Sequence, residues 1–511
     1  MFRPQHLLLG VALATLPMSH ATADPRSLDI VAPWEITSAD PSTSGYVFGR
    51  MQVAETLVDT DDAGQPAPGL AEAWSQDEDG LTWRFTMRQG ALFHDGSDVT
   101  ATAAAASIAH ALAKPGMLDS APIRTVEAQG DDVVIQLDSA FALLPALLSH
   151  STTQILAPAA YDEQGRVNAM IASGPYRVET LAPPQRLTVS RFDDYWGDLP
   201  AIESASYLAV GRGETRALMA ESGDADIVFT LDPASLTRLT RNARLTLHAE
   251  PLPRTIVLKV NAGHPFLAEV QTRRALSQAI DRSGIAAGLL RNPEAAAPEL
   301  FPESLGPWHL GLDVDQENAM ESARELLAEL GWEANDHGVL ERDGEPFRLT
   351  LRTFSDRPEL PLVATALQDQ WRELGIQIEV AVGNASDIPS GHRDGSLELG
   401  LMARNYGLVP DPLGTLLDDF GSDPEAMGGD WGAMGWTDAD LAGWLDTLRH
   451  EADPEIRADL ATLAATRLQE AMPVIPIAWY QQTAAVSGRL EGFSIDPLER
   501  SYKLSELRWA E

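Results

Sequence analysis

Residues 82–88 (TWRFTMR) alternate apolar and polar positions, which puts Trp83, Phe85 and Met87 on one side of an extended strand. The same two-residue period returns at 186–191, where Leu187 and Val189 share a face, and again at 347–354. Shorter apolar runs at 133–137, 225–229 and 377–380 read as further strands, and 244–260 is one long extended run. Between these segments the period changes. The Ala-rich stretch 99–112 predicts a helix, as do 214–221, 273–281 and 361–374. Residues 319–330 line up Ala323, Leu326, Leu327 and Leu330 as one stripe. Residues 453–472 open on an Asp-Pro cap signal and carry Ile456, Leu460, Leu463 and Leu468. Strands and helices interleave over the whole length, with no short repeat and no low-complexity linker, so the expected class is α/β.

Length and composition narrow the function. A chain of 511 residues is long enough for about two to four folding units. Its net charge of −38, from 37 basic against 75 acidic residues, excludes a general nucleic-acid binder and a protein resting on an anionic membrane. Lys114, Lys259 and Lys503 are the only lysines. Cysteine is absent, which rules out disulfides, thiol nucleophiles, Cys-ligated metal and attachment of a lipid through cysteine. The first residues, MFRPQHLLLGVALATLPMSHATA, combine Arg3, the apolar run 7–16 and Ala21-Thr22-Ala23. This is the pattern of a cleaved secretory signal peptide spanning 1–23, too short and too interrupted to anchor in a bilayer. No G-x-S-x-G, H-E-x-x-H, P-loop or G-x-G-x-x-G motif supports an enzyme.

The stretch 69–96, GLAEAWSQDEDGLTWRFTMRQGALFHDG, carries a denser signal. Its Leu70-Ala71, Trp74, Asp79-Gly80, Thr82-Trp83, Phe85, Arg88, Gly90, Phe93 and Asp95-Gly96, followed by Thr100-Ala101, resemble the signature of the peptide/nickel (family 5) solute-binding proteins of ABC transporters. Ser173-Gly174-Pro175-Tyr176, Tyr195-Trp196-Gly197, Val260-Asn261, Arg274-Ala275-Leu276 and Gly331-Trp332 resemble later landmarks of the same family in the same order. Physically the stretch is framework: Trp83, Phe85 and Met87 fill a sheet face between two Asp-Gly turns, and His94 sits beside one of them.

The resemblance implies a two-lobed periplasmic binding protein fold (type II, cluster C) with an extra subdomain in lobe one. Lobe one would be 24–248 plus 480–511, with the subdomain at about 48–172, and lobe two 249–472. The chain would cross between them at about 247–254 and 473–487. The implied protein is a periplasmic monomer without a cofactor. It would take a small solute, peptide-like or a nickel or other metal–chelator complex, into the interlobe cleft and deliver it to a permease/ATPase complex in the inner membrane. A ligand-sensing subunit of the same fold stays open as the alternative.

By the same resemblance the cleft is lined by the Asp40-Pro41 turn through Tyr46 and Met51, and by Arg404-Asn405-Tyr406 of lobe two, a string closest to the nickel/metallophore branch. Leu408 stands where the peptide branches place an acid. Ser151 stands where the nickel branch has an Arg, Met117 in place of its Trp and Pro424 in place of its His. Arg404 reads either as a carboxylate anchor or as a partner in a structural salt bridge. Tyr46 and Tyr406 read either as stacking groups or as core. No metal ligand set is expected, with His150 as the one substitute candidate.

Overall fold

The computed structural model describes residues 27–61, 64–314, 319–421 and 429–510. The expected signal peptide and Pro424 lie outside them. Strand β1 (Ser27–Ala32) leads into a short helical turn at Pro41–Ser44 and helix α1 (Tyr46–Arg50). The turn starts where it does because the Asp40 carboxylate accepts from the Ser42 N–H and Pro41 supplies a ready-made first position.

A small antiparallel sheet follows, from β2 (Ala71–Gln76), β3 (Thr82–Met87), β4 (Ile123–Gln129) and β5 (Asp132–Leu137) in the spatial order β2-β3-β5-β4. Trp83, Phe85 and Met87 are buried, as their alternation requires. Helix α2 (Ala101–Leu112) packs across β4 and β5 through small residues such as Ala104 and Ala105, with Ile108 as its large apolar contact. Its N-terminus is capped by Thr100, whose side chain accepts from the Ala103 N–H.

Nine further strands join β1 in one ten-stranded sheet. They are β6 (Tyr176–Ala182), β7 (Arg186–Arg191), β8 (Ser204–Ala209), β9 (Ile227–Phe229), β10 (Leu245–Val260), β11 (Arg348–Phe354), β12 (Gln377–Gly383), β13 (Leu399–Asn405) and β14 (Val474–Ser487). Their order is β12-β11-β13-β10-β14-β9-β1-β8-β7-β6. The halves of this sheet are the two lobes, joined through the long antiparallel pair β10–β14. That pair runs in register from Leu245↔Ser487 to Pro251↔Gln481, breaks, and resumes at Thr255↔Trp479. Pro251 and Pro253 supply no N–H to the ladder, which accounts for the break. From Arg254 onward β10 also pairs with β13.

Lobe one has its own apolar core around Leu28, Phe48, Tyr176 and Tyr207. The core beneath the small sheet instead runs on without interruption into that of lobe two. In lobe two, helix α3 (Glu359–Arg372) covers β11 and β12, while α4 (Leu413–Phe420), α5 (Ala439–His450) and α6 (Pro454–Ala471) pack on one another in sequence, with α4 reaching the 3-10 turn at Met117–Ser120. The seam is direct: the Ala142 N–H donates to the Arg449 carbonyl at 2.9 Å. Gly414 of α4 lies against Leu147 and Met117.

Candidate functional site: the interlobe interior

The Asp40-Pro41 turn is pinned to α2. The Asp40 carboxylate accepts from Lys114 and lies 3.0 Å from His110 Nε2, while Lys114 Nζ also donates to Ser42 Oγ at 2.8 Å. Burial alone would push this carboxyl up, but the Lys114 ammonium with Ser42 and His110 outweighs it and holds the group down at about 2. Tyr46 is half-buried, its hydroxyl donating to the Glu35 carbonyl at 2.5 Å. Next to it, Gly45 rests on the Ser151 carbonyl so closely that a Cβ would stand 2.0 Å from that oxygen. Tyr46 and Ser151 are therefore brought into one patch.

Met117 begins a 3-10 turn and faces α4 across the seam. Met51 is fully buried in the lobe-one core. Arg404 is held by Asp419, with Nε–Oδ2 at 2.7 Å and Nη2–Oδ1 at 2.6 Å, and reaches Asp418 at 3.3 Å. Asn405 Oδ1 accepts from the Gly407 N–H at 2.8 Å. Tyr406 is 1% exposed, meets Phe301 edge-on at 5.2 Å, and its N–H donates to the Pro253 carbonyl. His150 Nδ1 accepts from the Thr152 N–H at 3.3 Å and lies 2.8 Å from its hydroxyl; burial pushes the ring down to about 4. Among the described residues no group of three or more His, Asp or Glu could hold a metal ion.

Sequence reasoning missed a different set. Where β10 passes from one lobe to the other, Arg254 points back at the C-terminal tail of lobe one. Its Nη2 lies 2.5 Å from Glu499 Oε2. Arg50, at the end of α1, donates from Nε to the Glu499 carbonyl at 2.7 Å and stacks on Trp34 at 4.0 Å. Tyr480 of β14 packs between Arg254 and Arg357, whose guanidinium carbons lie 5.2 and 4.8 Å from its ring centre. Glu359, in the first turn of α3, completes the cluster.

Three guanidiniums thus face two carboxylates. Burial pushes the Glu499 carboxyl up, but Arg254, Arg50 and Arg357 overcome this and hold it below the usual range. Burial raises Glu359. Arg50 Nη1 and Arg254 Nε and Nη1 are buried with no hydrogen-bond partner among the described residues. Such donors are costly to leave unmade, and a planar guanidinium matches a carboxylate with two parallel bonds.

Two cavities reach the chain neighbours of this cluster, Pro253 and Leu498 in one and Gly49 and Arg500 in the other, and no member of the cluster itself lines either. One, of ≈ 630 Å³, lies between the lobes, bounded by Gln65 and Leu498 on one side and Pro253, Trp308, Gly407 and Asp411 on the other. The second, ≈ 300 Å³ and polar, is lined by Gly49, Glu55, Ser151, Gln154, Trp196 and Arg500. Glu55 there accepts from Tyr195 Oη at 3.0 Å and Trp196 Nε1 at 3.1 Å, and burial pushes its carboxyl up to about 7.

Two lobes around a cavity is the architecture of a solute trap, and residues 65–426 match the bacterial extracellular solute-binding proteins, family 5 Middle. The chain belongs to that family. It is 28% identical over 406 residues to the nickel-binding periplasmic protein of Escherichia coli K12, covering 75% of this chain and 77% of that one. It is 25% identical over 459 residues to the glutathione-binding protein GsiB of Salmonella typhi, covering 84% and 83%. The structure of NikA from Brucella suis in complex with Fe(III)-EDTA superposes with a TM-score of 0.83 at 22% identity, over 94% of this chain and all of that one. This solute-binding protein therefore has the two-lobed α/β fold and the ABC-importer role expected from its sequence. No helix among its described residues is long and apolar enough to cross a membrane.

Proposed function

We propose that this solute-binding protein captures a carboxylate-bearing solute, either peptide-like or a metal–chelator complex, in the interlobe cavity. It then presents the closed complex to an ABC permease and its ATPase. The observation that carries this reading is the set of buried, unpartnered guanidinium donors on Arg50 and Arg254. Glutathione and EDTA, named for two of its relatives, are both polycarboxylates. The protein acts as a monomer in the periplasm after loss of residues 1–23, without a lipid anchor and without a covalent step. The lobes hinge on the two crossings at about 247–254 and 473–487, and closure is a solute-biased equilibrium. Tyr46 and Ser151 rim the solute on the lobe-one side, Met117 borders it at the seam, and Arg404, Asn405 and Tyr406 support the facing wall.

Calorimetric titration with glutathione and with nickel complexes of histidine and EDTA tests the reading. The best of these is expected to lose about ten- to a hundredfold in affinity in Arg254→Ala, the worth of charge-assisted hydrogen bonds of about 1.5–3 kcal/mol. A tight ligand recovered from the native protein that carries no carboxylate would refute it.

A further inference from the structure

The residue facing the two arginines is part of the chain itself. Glu499 belongs to a tight turn fixed to lobe one. Asp496 Oδ1 accepts from the Leu498 N–H at 2.8 Å and its Oδ2 from the Ser501 N–H at 3.0 Å. The Glu499 N–H donates to the Asp496 carbonyl at 3.0 Å, and the Tyr502 N–H donates to the Arg50 carbonyl at 2.9 Å. In this turn Glu499 adopts φ 57°. A side chain other than glycine's is held in that left-handed region only when its surroundings over-determine it. The result of the strain is specific. The carboxylate is carried across the interior to Arg254, the first residue of β10 that pairs with lobe-two strand β13. Its side chain and that of Arg254 are 6% and 8% exposed, so solvent does not screen the pair.

We propose that Glu499 is an internal carboxylate strap. It joins the lobes through Arg254 in the solute-free protein, and the carboxylate of an incoming solute displaces it from Arg254 and Arg50. The strap would make the site selective. A solute must offer the arginines more than Glu499 already does, which favours bidentate or multiply charged carboxylates over weak anions. This rests on the arginines being the solute-binding groups, but half of its test does not.

In the first arm, no solute is added and the full mature chain is studied by small-angle X-ray scattering. Glu499→Gln removes the bridging charge and leaves Arg50, Arg254 and Arg357 facing one another. Its radius of gyration is expected to exceed that of the parent, and Glu499→Asp, which keeps the charge but shortens the reach, is expected to fall between. If both variants are correctly folded by circular dichroism and scatter as the parent does, the strap is refuted. In the second arm, citrate and glutathione are titrated calorimetrically into parent and Glu499→Gln. At least one is expected to bind about tenfold or more tightly to the variant. Equal affinity overturns displacement. An opened variant that binds neither probe, with a parent that also binds neither, overturns the carboxylate reading and leaves the strap intact.

Discussion

Lys259 carries its ammonium inside lobe two with no solvent exposure, donating to the carbonyls of Gly429 at 3.1 Å and Asp430 at 2.9 Å. Burial pushes its pKa down to about 7, although the carboxylates of Asp419 and Asp430 pull it partly back. The folded value thus lies below that of an unfolded lysine, ~10.4. Between the two, the unfolded chain holds a proton the folded chain has released, so stability rises with pH through this window. Lys259→Met is expected to remove a slope of about 1.4 kcal/mol per pH unit, read from urea unfolding at pH 7, 8 and 9; an unchanged slope refutes the assignment. Arg404 is the neighbouring case. Asp419 is fully buried and depends on Arg404 for compensation, so Arg404→Ala is expected to cost about 3–5 kcal/mol of stability, seen as a fall in the urea midpoint. If the midpoint stays and only solute affinity drops, Arg404 is a solute anchor instead. The sequence left both readings of Arg404 open because its partner Asp419 is fifteen positions away, on a separate short helix. The Arg50–Arg254–Glu499 cluster was less visible still. Each member is an ordinary charged residue in its own stretch, and only the folding of the tail onto α1 and the hinge brings them together.

Elements were far more legible than sites, for a physical reason: periodicity is local, whereas a binding site is assembled from distant parts. The long extended run at 244–260 is strand Leu245–Val260, and the Ala-rich stretch at 99–112 is helix Ala101–Leu112. What local pattern did not convey was the register break at Pro251–Thr255 inside the first of these. Helix α4 was also missed: Leu413, Leu416 and Phe420 do share one buried face, but the helix is only two turns long and directly follows Pro410-Asp411-Pro412. Helix α5 had a usable signal that went unread: Asp438 caps it, accepting from the Leu441 N–H, and Leu441, Leu445 and Leu448 share one buried face. The one cap signal read from the sequence, Asp453-Pro454, does open a helix, Pro454–Ala471. Thr100→Ala is expected to cost about 1 kcal/mol by removing the acceptor for the Ala103 N–H. Because α2 packs on the small sheet and its partner Lys114 holds the Asp40 turn, the loss should appear as a lower unfolding midpoint with solute affinity retained. A midpoint equal to the parent's would show that the cap contributes nothing.

At the scale of the whole molecule the lobes meet along two seams, and the two do different jobs. At the hinge, charge faces charge through Arg254 and Glu499. At the far seam, segments beside the small sheet touch lobe two through neutral contacts, the Ala142–Arg449 backbone hydrogen bond and the approach of Leu147 and Met117 to Gly414. A Cβ on Gly414 would meet Leu147 Cδ2 at 3.6 Å and Met117 Sδ at 3.7 Å, ordinary contact distances. Gly414→Ala therefore fits the closed form, and its solute affinity is expected to match the parent's. Gly414→Trp does not fit, because the side chain must occupy the space that Leu147 and Met117 take when the lobes meet. The added Cβ meets no lobe-two side chain within 4 Å, so the side chain leaves lobe two toward the seam and the lobes should remain folded. The penalty then falls on the closed state and not on the folded state. A solute that binds by closure pays that difference in full, since apparent affinity falls with the population of the competent form. Gly414→Trp is expected to bind its solute about tenfold or more weakly, with a larger radius of gyration by X-ray scattering in the presence of solute and a urea midpoint like that of Gly414→Ala. Unchanged affinity in the Trp variant would mean that solute is held without closing this seam, and the trap would have to work from the hinge side alone.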